Sequence, residues 1–94
     1  MYTLSWSKGF RRGFKKATRK TPDLKQKIFS TLEKLSIQPF SPALKTHKLH
    51  GKLAGLWACD VEYDCRIVFT FENDPHTGRD LIVLADIGKH DEVY

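Results

Sequence analysis

Side chains of the kinds used in acid–base and phosphoryl chemistry fall in three clusters: His47, Lys48, His50 and Lys52, then Asp60, Asp64 and Arg66, then Lys89, His90, Asp91 and Tyr94. No metal pattern unites them. The His-x-x-His of residues 47–50 has no HExxH context, and there is neither a glycine-rich phosphate loop nor a serine-nucleophile elbow, so no metal and no cofactor is expected. What remains suits metal-free cleavage of an RNA phosphodiester. That reaction needs a base for the 2′-hydroxyl, an acid for the departing 5′-oxygen and a cation for the charge developing on phosphorus. Imidazole, with an ordinary pKa of about 6.5, serves the first two roles, and guanidinium serves the third through its paired donors.

Each of these residues also has a plainer reading. A histidine near a terminus is often merely exposed, and Asp60 with Arg66 can be a cross-strand ion pair contributing a few tenths of a kcal/mol (about 0.2–1). His76, among Asp74, Pro75 and Gly78, reads as a solvated turn residue. Cys59 and Cys65 are too few for a disulfide scaffold and lack a second ligand pair for zinc; both read as buried thiols.

The elements that must position these groups follow from the spacing of apolar residues. Tyr2, Leu4 and Trp6 alternate and predict a short first strand; Ser7 can cap the helix that follows. In residues 8–20, Phe10, Phe14 and Ala17 share one helical face while seven Lys and Arg cover the rest, with Gly13 weakening the helix by about 1 kcal/mol relative to alanine. Thr21-Pro22-Asp23 restarts a helix, with Thr21 as N-cap and Pro22 at the first helical position, where a missing N–H costs nothing. Leu24, Ile28, Leu32 and Leu35 form its stripe until Pro39 and Pro42 end helical structure.

From His47 the period becomes two, and residues 53–63, 64–73 and 79–88 predict three strands joined by a tight turn and by the loop at 73–78. The order strand, two helices, three strands predicts an α+β fold, a small, mainly antiparallel sheet with both helices on one face. In the first hairpin, a two-residue turn at Tyr63-Asp64 would pair Val61 with Arg66 and mix charge with core. A three-residue loop, Glu62-Tyr63-Asp64, pairs Val61 with Cys65, Cys59 with Ile67 and Trp57 with Phe69, and so is the expected register. It also pairs Asp60 with Arg66 on the face the helices leave open.

Ninety-four residues, 40% hydrophobic with six Phe, three Tyr and two Trp, suit one small core, so one domain spanning 1–94 is expected. No run of eighteen apolar residues occurs and the first ten residues lack the zones of a secretory signal, which makes a cytoplasmic protein without membrane contact the expectation. The net charge of +5 divides unevenly. Residues 1–52 carry thirteen Lys and Arg against Asp23 and Glu33, a balance of +11, and residues 53–94 carry three against nine acids, −6. Such a basic half is either a solvated helical face or a surface for an anionic partner.

The segment HKLHGKLAGLWACDVEYDCRIVFTF, with IVLADIGKHDEVY after it, resembles the small bacterial toxins of the RelE/ParE superfamily, and among them the YafQ-like mRNA interferases. Two elements carry the resemblance together: the H-x-L-x-G…W/Y…D-x-R hairpin and the terminal G-K/T-H-x-x-x-Y/F. The resemblance implies a RelE-like fold, a ribosome-dependent endoribonuclease that cuts mRNA without metal, and neutralisation by a cognate antitoxin encoded nearby. Its partners would be that antitoxin, the ribosome and mRNA.

By motif, His47, Asp64 and His90 match the family's catalytic positions, Arg66 an arginine that stabilises phosphate in RelE-like relatives, and Tyr94 the terminal aromatic. Lys52 lies where such relatives place basic residues. Asp60 stands where some YafQ-like proteins have a second histidine, so the acid–base pairing does not transfer whole. The assignment joining both lines is catalytic His47, Asp64, Arg66 and His90, with Lys48, His50, Lys52, Asp60, Lys89 and Tyr94 contacting RNA. Two other readings share the sequence: a ParE-like toxin that inhibits gyrase by binding, and a non-catalytic RNA-binding module.

Overall fold

The computed structural model describes residues 1–93, and Tyr94, one of the expected RNA-contacting residues, lies outside them. The elements are β1 (Thr3–Trp6), α1 (Lys8–Lys20), α2 (Leu24–Ile37), β2 (His47–Lys48), β3 (Trp57–Glu62), β4 (Cys65–Asn73), β5 (Asp80–Gly88) and α3 (His90–Val93). Single 3₁₀ turns lie at Pro42–Leu44 and Gly51–Leu53. The strands form one sheet in the order β1-β5-β4-β3-β2, in which only β1 with β5 is parallel. The predicted α+β architecture is therefore present, with β2 as an additional edge strand that two residues are too few to announce by alternation.

Ser7 joins helix to sheet. Its hydroxyl accepts the Phe10 N–H at 3.1 Å, capping α1, and donates to the Ala85 carbonyl of β5 at 3.0 Å. The core lies between the two long helices and the sheet: Phe10 from α1, Ile28, Leu32 and Leu35 from α2, and Cys59, Ile67, Phe69, Ile82, Leu84 and Ile87 from the strands are all buried. A second helix start differs from expectation. Leu24 and Lys25 donate to the carbonyls of Thr21 and Pro22 in a tight turn, and α2 proper opens after Asp23. Thr21 is already in use, its N–H closing α1 on the Ala17 carbonyl at 3.0 Å.

Gly13 has a packing reason that outweighs its poor helix propensity. Strand β1 pairs with β5 only as far as Leu84, and β5 then bulges at Ala85, since Phe69 pairs with Leu84 and Val68 with Asp86. There α1 lies directly on the strand. A Cβ at position 9 would sit 2.8 Å from the Ala85 carbonyl oxygen, and one at position 13 would overlap that of Ile87. Gly13→Ala gains about 1 kcal/mol of helix propensity, but the obstructing atom is backbone and cannot rotate away. The expected net result is a loss of about 1–3 kcal/mol, the range for overpacking, read from a denaturant midpoint.

The β3–β4 hairpin corrects the expected loop. Trp57 pairs with Phe69, Cys59 with Ile67 and Asp60 with Arg66 as the apolar pattern requires, but Cys65 pairs with Glu62 and not with Val61. The turn is the two-residue Tyr63-Asp64, and a bulge between Asp60 and Glu62 absorbs Val61. The bulge keeps the core register while closing the turn tightly, an arrangement that a bulge-free pairing scheme does not contain.

Candidate active site

Asp60 and Arg66 alternate with the core residues Cys59, Cys65 and Ile67, so they project from the face opposite the helices. Arg66 Nε lies 3.2 Å from Asp60 Oδ1, and the two side chains keep only 24% and 20% of their exposure. That face is less open than expected, because Ala58 and Val68 are buried on it as well. Arg66 meets the carboxylate through Nε. A half-buried guanidinium held along one edge keeps its remaining donors for an anion.

Gly88 stands beside Arg66 in the sheet register, so β5 ends next to the ion pair and delivers Lys89 and His90 there. Lys89 Nζ is 3.9 Å from Asp64 Oδ2 on the hairpin turn, an exposed pair that orients more than it stabilises. His90 is exposed and opens α3, which packs beside β4 and β5. The hairpin is tied to α2 by Lys27 and Glu62 at 3.3 Å. Thus Asp60, Asp64, Arg66, Lys89 and His90, separated by up to thirty positions in sequence, meet at one end of the sheet.

His47 occupies the next row of that face, opposite Ala58, with its Nδ1 2.9 Å from the Lys45 carbonyl oxygen. Strand spacings of about 4.8 Å and 3.4 Å per residue put it roughly 12 Å from Arg66 between Cα atoms. His50 and Lys52 are exposed at the 3₁₀ turn after β2. Lys48 is not brought to the others, since its ammonium lies over the Trp57 ring, 5.4 Å from the centroid, on the helix side of the sheet. His76 sits in the exposed 73–78 loop, its N–H donating to Asp74 Oδ1 at 2.8 Å.

Cys59 and Cys65 are free and buried, as read. Burial first, then the neighbouring Asp60 charge and Cys65, pushes the Cys59 thiol up to about 12. Because the thiolate is the nucleophile, Cys59 is expected to resist alkylation at mildly alkaline pH in the folded protein and to react on denaturation. Mass spectrometry of iodoacetamide-treated protein reads this directly.

Sequence reasoning missed what lies behind the hairpin. A cleft of about 130 Å³ separates it from the end of α1, lined on one side by Lys16, Ala17 and Lys20 and on the other by Asp64, Cys65 and Lys89. No local signal links α1 to residues 62–65, because their proximity arises from packing alone.

The family described as "Bacterial toxin of type II toxin-antitoxin system, YafQ" matches residues 2–94. No curated protein matches the chain. Among solved structures, a mutant of YafQ from E. coli superposes with a TM-score of 0.81 at 18% identity, covering 100% of this chain and 99% of that one. The E. coli DinJ-YafQ complex gives 0.78 at 19%, with 100% and 99% covered. A metal-bound toxin from Helicobacter pylori gives 0.78 at 25%, with 100% of both covered.

Proposed function

Because this chain belongs to the YafQ family of bacterial toxins of type II toxin-antitoxin systems, we propose that it is an endoribonuclease that cuts mRNA on the ribosome and so stops translation. The observation that carries this reading is the convergence of Arg66, Asp60, Asp64, Lys89 and His90 at one end of the sheet. His90 is the principal acid or base, with Asp64 and His47 as its complement, and Arg66 meets the charge on phosphorus. Lys52 and Lys89 hold flanking phosphates, His50 contacts the RNA beside them, Lys48 contributes through long-range attraction alone, and Asp60 orients Arg66. Tyr94 stacks on an unpaired base.

The basic half of the chain then serves association with the ribosome, through long-range attraction to a phosphate backbone. The protein works in the cytoplasm, as one toxin domain, and is held inactive by an antitoxin encoded beside it. The DinJ-YafQ complex is the precedent for such a pairing. The test is incubation of mRNA with the protein in EDTA, with and without translating ribosomes, followed by end-group analysis. The expected result is ribosome-dependent cuts ending in 2′,3′-cyclic phosphate and 5′-hydroxyl. Intact mRNA together with inhibited gyrase supercoiling overturns it.

A further inference from the structure

The cleft behind the hairpin has the character of a docking site for polypeptide. Its floor is apolar, made by Ala17, Leu24, Cys65 and Ile87. Its volume of about 130 Å³ is close to the roughly 150 Å³ of an apolar cavity that holds a benzene ring, room for one aliphatic or aromatic side chain. Lys16 and Lys20 on the last turns of α1 and Lys89 at the end of β5 rim it with positive charge.

We infer that this cleft receives an apolar anchor side chain from an acidic segment of the antitoxin, a proposal that rests on the toxin-antitoxin reading above. An RNA strand fits less well. No aromatic side chain lines the cleft to stack on a base. A peptide meets the same surfaces favourably, with its carboxylates on the lysines, its backbone N–H groups on Glu62 and Asp64, and its anchor on the floor. Asp64 and Lys89 belong to both the cleft and the candidate active site, so an occupied cleft engages two residues that RNA needs.

The test uses the full chain and the protein encoded by the adjacent reading frame, produced separately, with affinity measured by calorimetry at low and high salt. Ala17→Phe fills the cleft from within and is expected to weaken association by about 30-fold or more, as loss of a central anchor does, while cleavage of ribosome-bound mRNA is unchanged. Lys20→Glu, at an exposed position where folding is not at stake, is expected to weaken association by about fivefold or more and flatten its salt dependence.

Wild-type affinity in both variants overturns the cleft assignment and leaves the toxin reading intact. If wild type itself does not bind the neighbour's product, the antitoxin reading fails and the assignment with it. Loss of cleavage in Ala17→Phe with antitoxin binding preserved gives the cleft to RNA and also overturns it.

Discussion

His90→Ala is expected to lower cleavage of ribosome-bound mRNA by about 10²–10⁴-fold, the usual range for removing a general acid or base. The histidine is placed for this role by the chain itself. Gly88 pairs with Arg66, the next residue Lys89 lies 3.9 Å from Asp64, and His90 follows at once. It is exposed at the start of a four-residue helix and outside the buried core, so the melting temperature is expected to stay within about 4 °C. That separation of activity from stability is the diagnostic. A rate unchanged in His90→Ala and also in His47→Ala removes the acid–base assignment, whereas a fall in Tm matching the fall in rate assigns His90 a structural role.

The second large effect is on stability. Phe10→Ala is expected to cost about 3–5 kcal/mol, as truncation of a buried aromatic does when its surroundings cannot collapse into the space. Phe10 is fully buried and meets Trp6 edge-to-face at 4.8 Å between ring centroids, which adds a directional aromatic contact to area burial. Trp6 also meets Phe14 at 5.2 Å, so the loss loosens the join between β1 and α1. For a domain of this size each kcal/mol shifts Tm by about 4–8 °C, and a fall of more than about 10 °C in a thermal melt is the expected reading. Tyr63→Ala, at a position 94% exposed, should stay within about 0.5 kcal/mol.

These two residues also differ in how they could be read. Phe10 was legible from its helical spacing with Phe14 and Ala17, because amphipathic periodicity is a local property. His90 was legible as a candidate only by residue type and by the resemblance of its terminal motif. Its neighbours Asp64 and Arg66 lie more than twenty positions away.

The hairpin shows where local reading stops. Its apolar pattern set the pairing of Cys59 with Ile67 and Trp57 with Phe69, since a slip of one residue would turn that face to water. Near the tip no such penalty acts. There the backbone took a two-residue turn with a bulge at Val61 in place of a three-residue loop.

By itself the sequence determined the α+β order, the faces of the helices and strands, the Ser7 cap, the buried state of both cysteines and the Asp60–Arg66 pairing. All of these depend on residue type and on period along one or two neighbouring elements. Tertiary structure alone decided that β1 lies parallel beside β5, that β2 exists, and that Gly9 and Gly13 let α1 rest on the bulged end of β5. It alone turned Lys48 toward Trp57 and opened the cleft between α1 and the hairpin. Those features come from which surfaces fit together once apolar faces are buried, and close packing between segments far apart in the chain leaves no periodic trace in either of them.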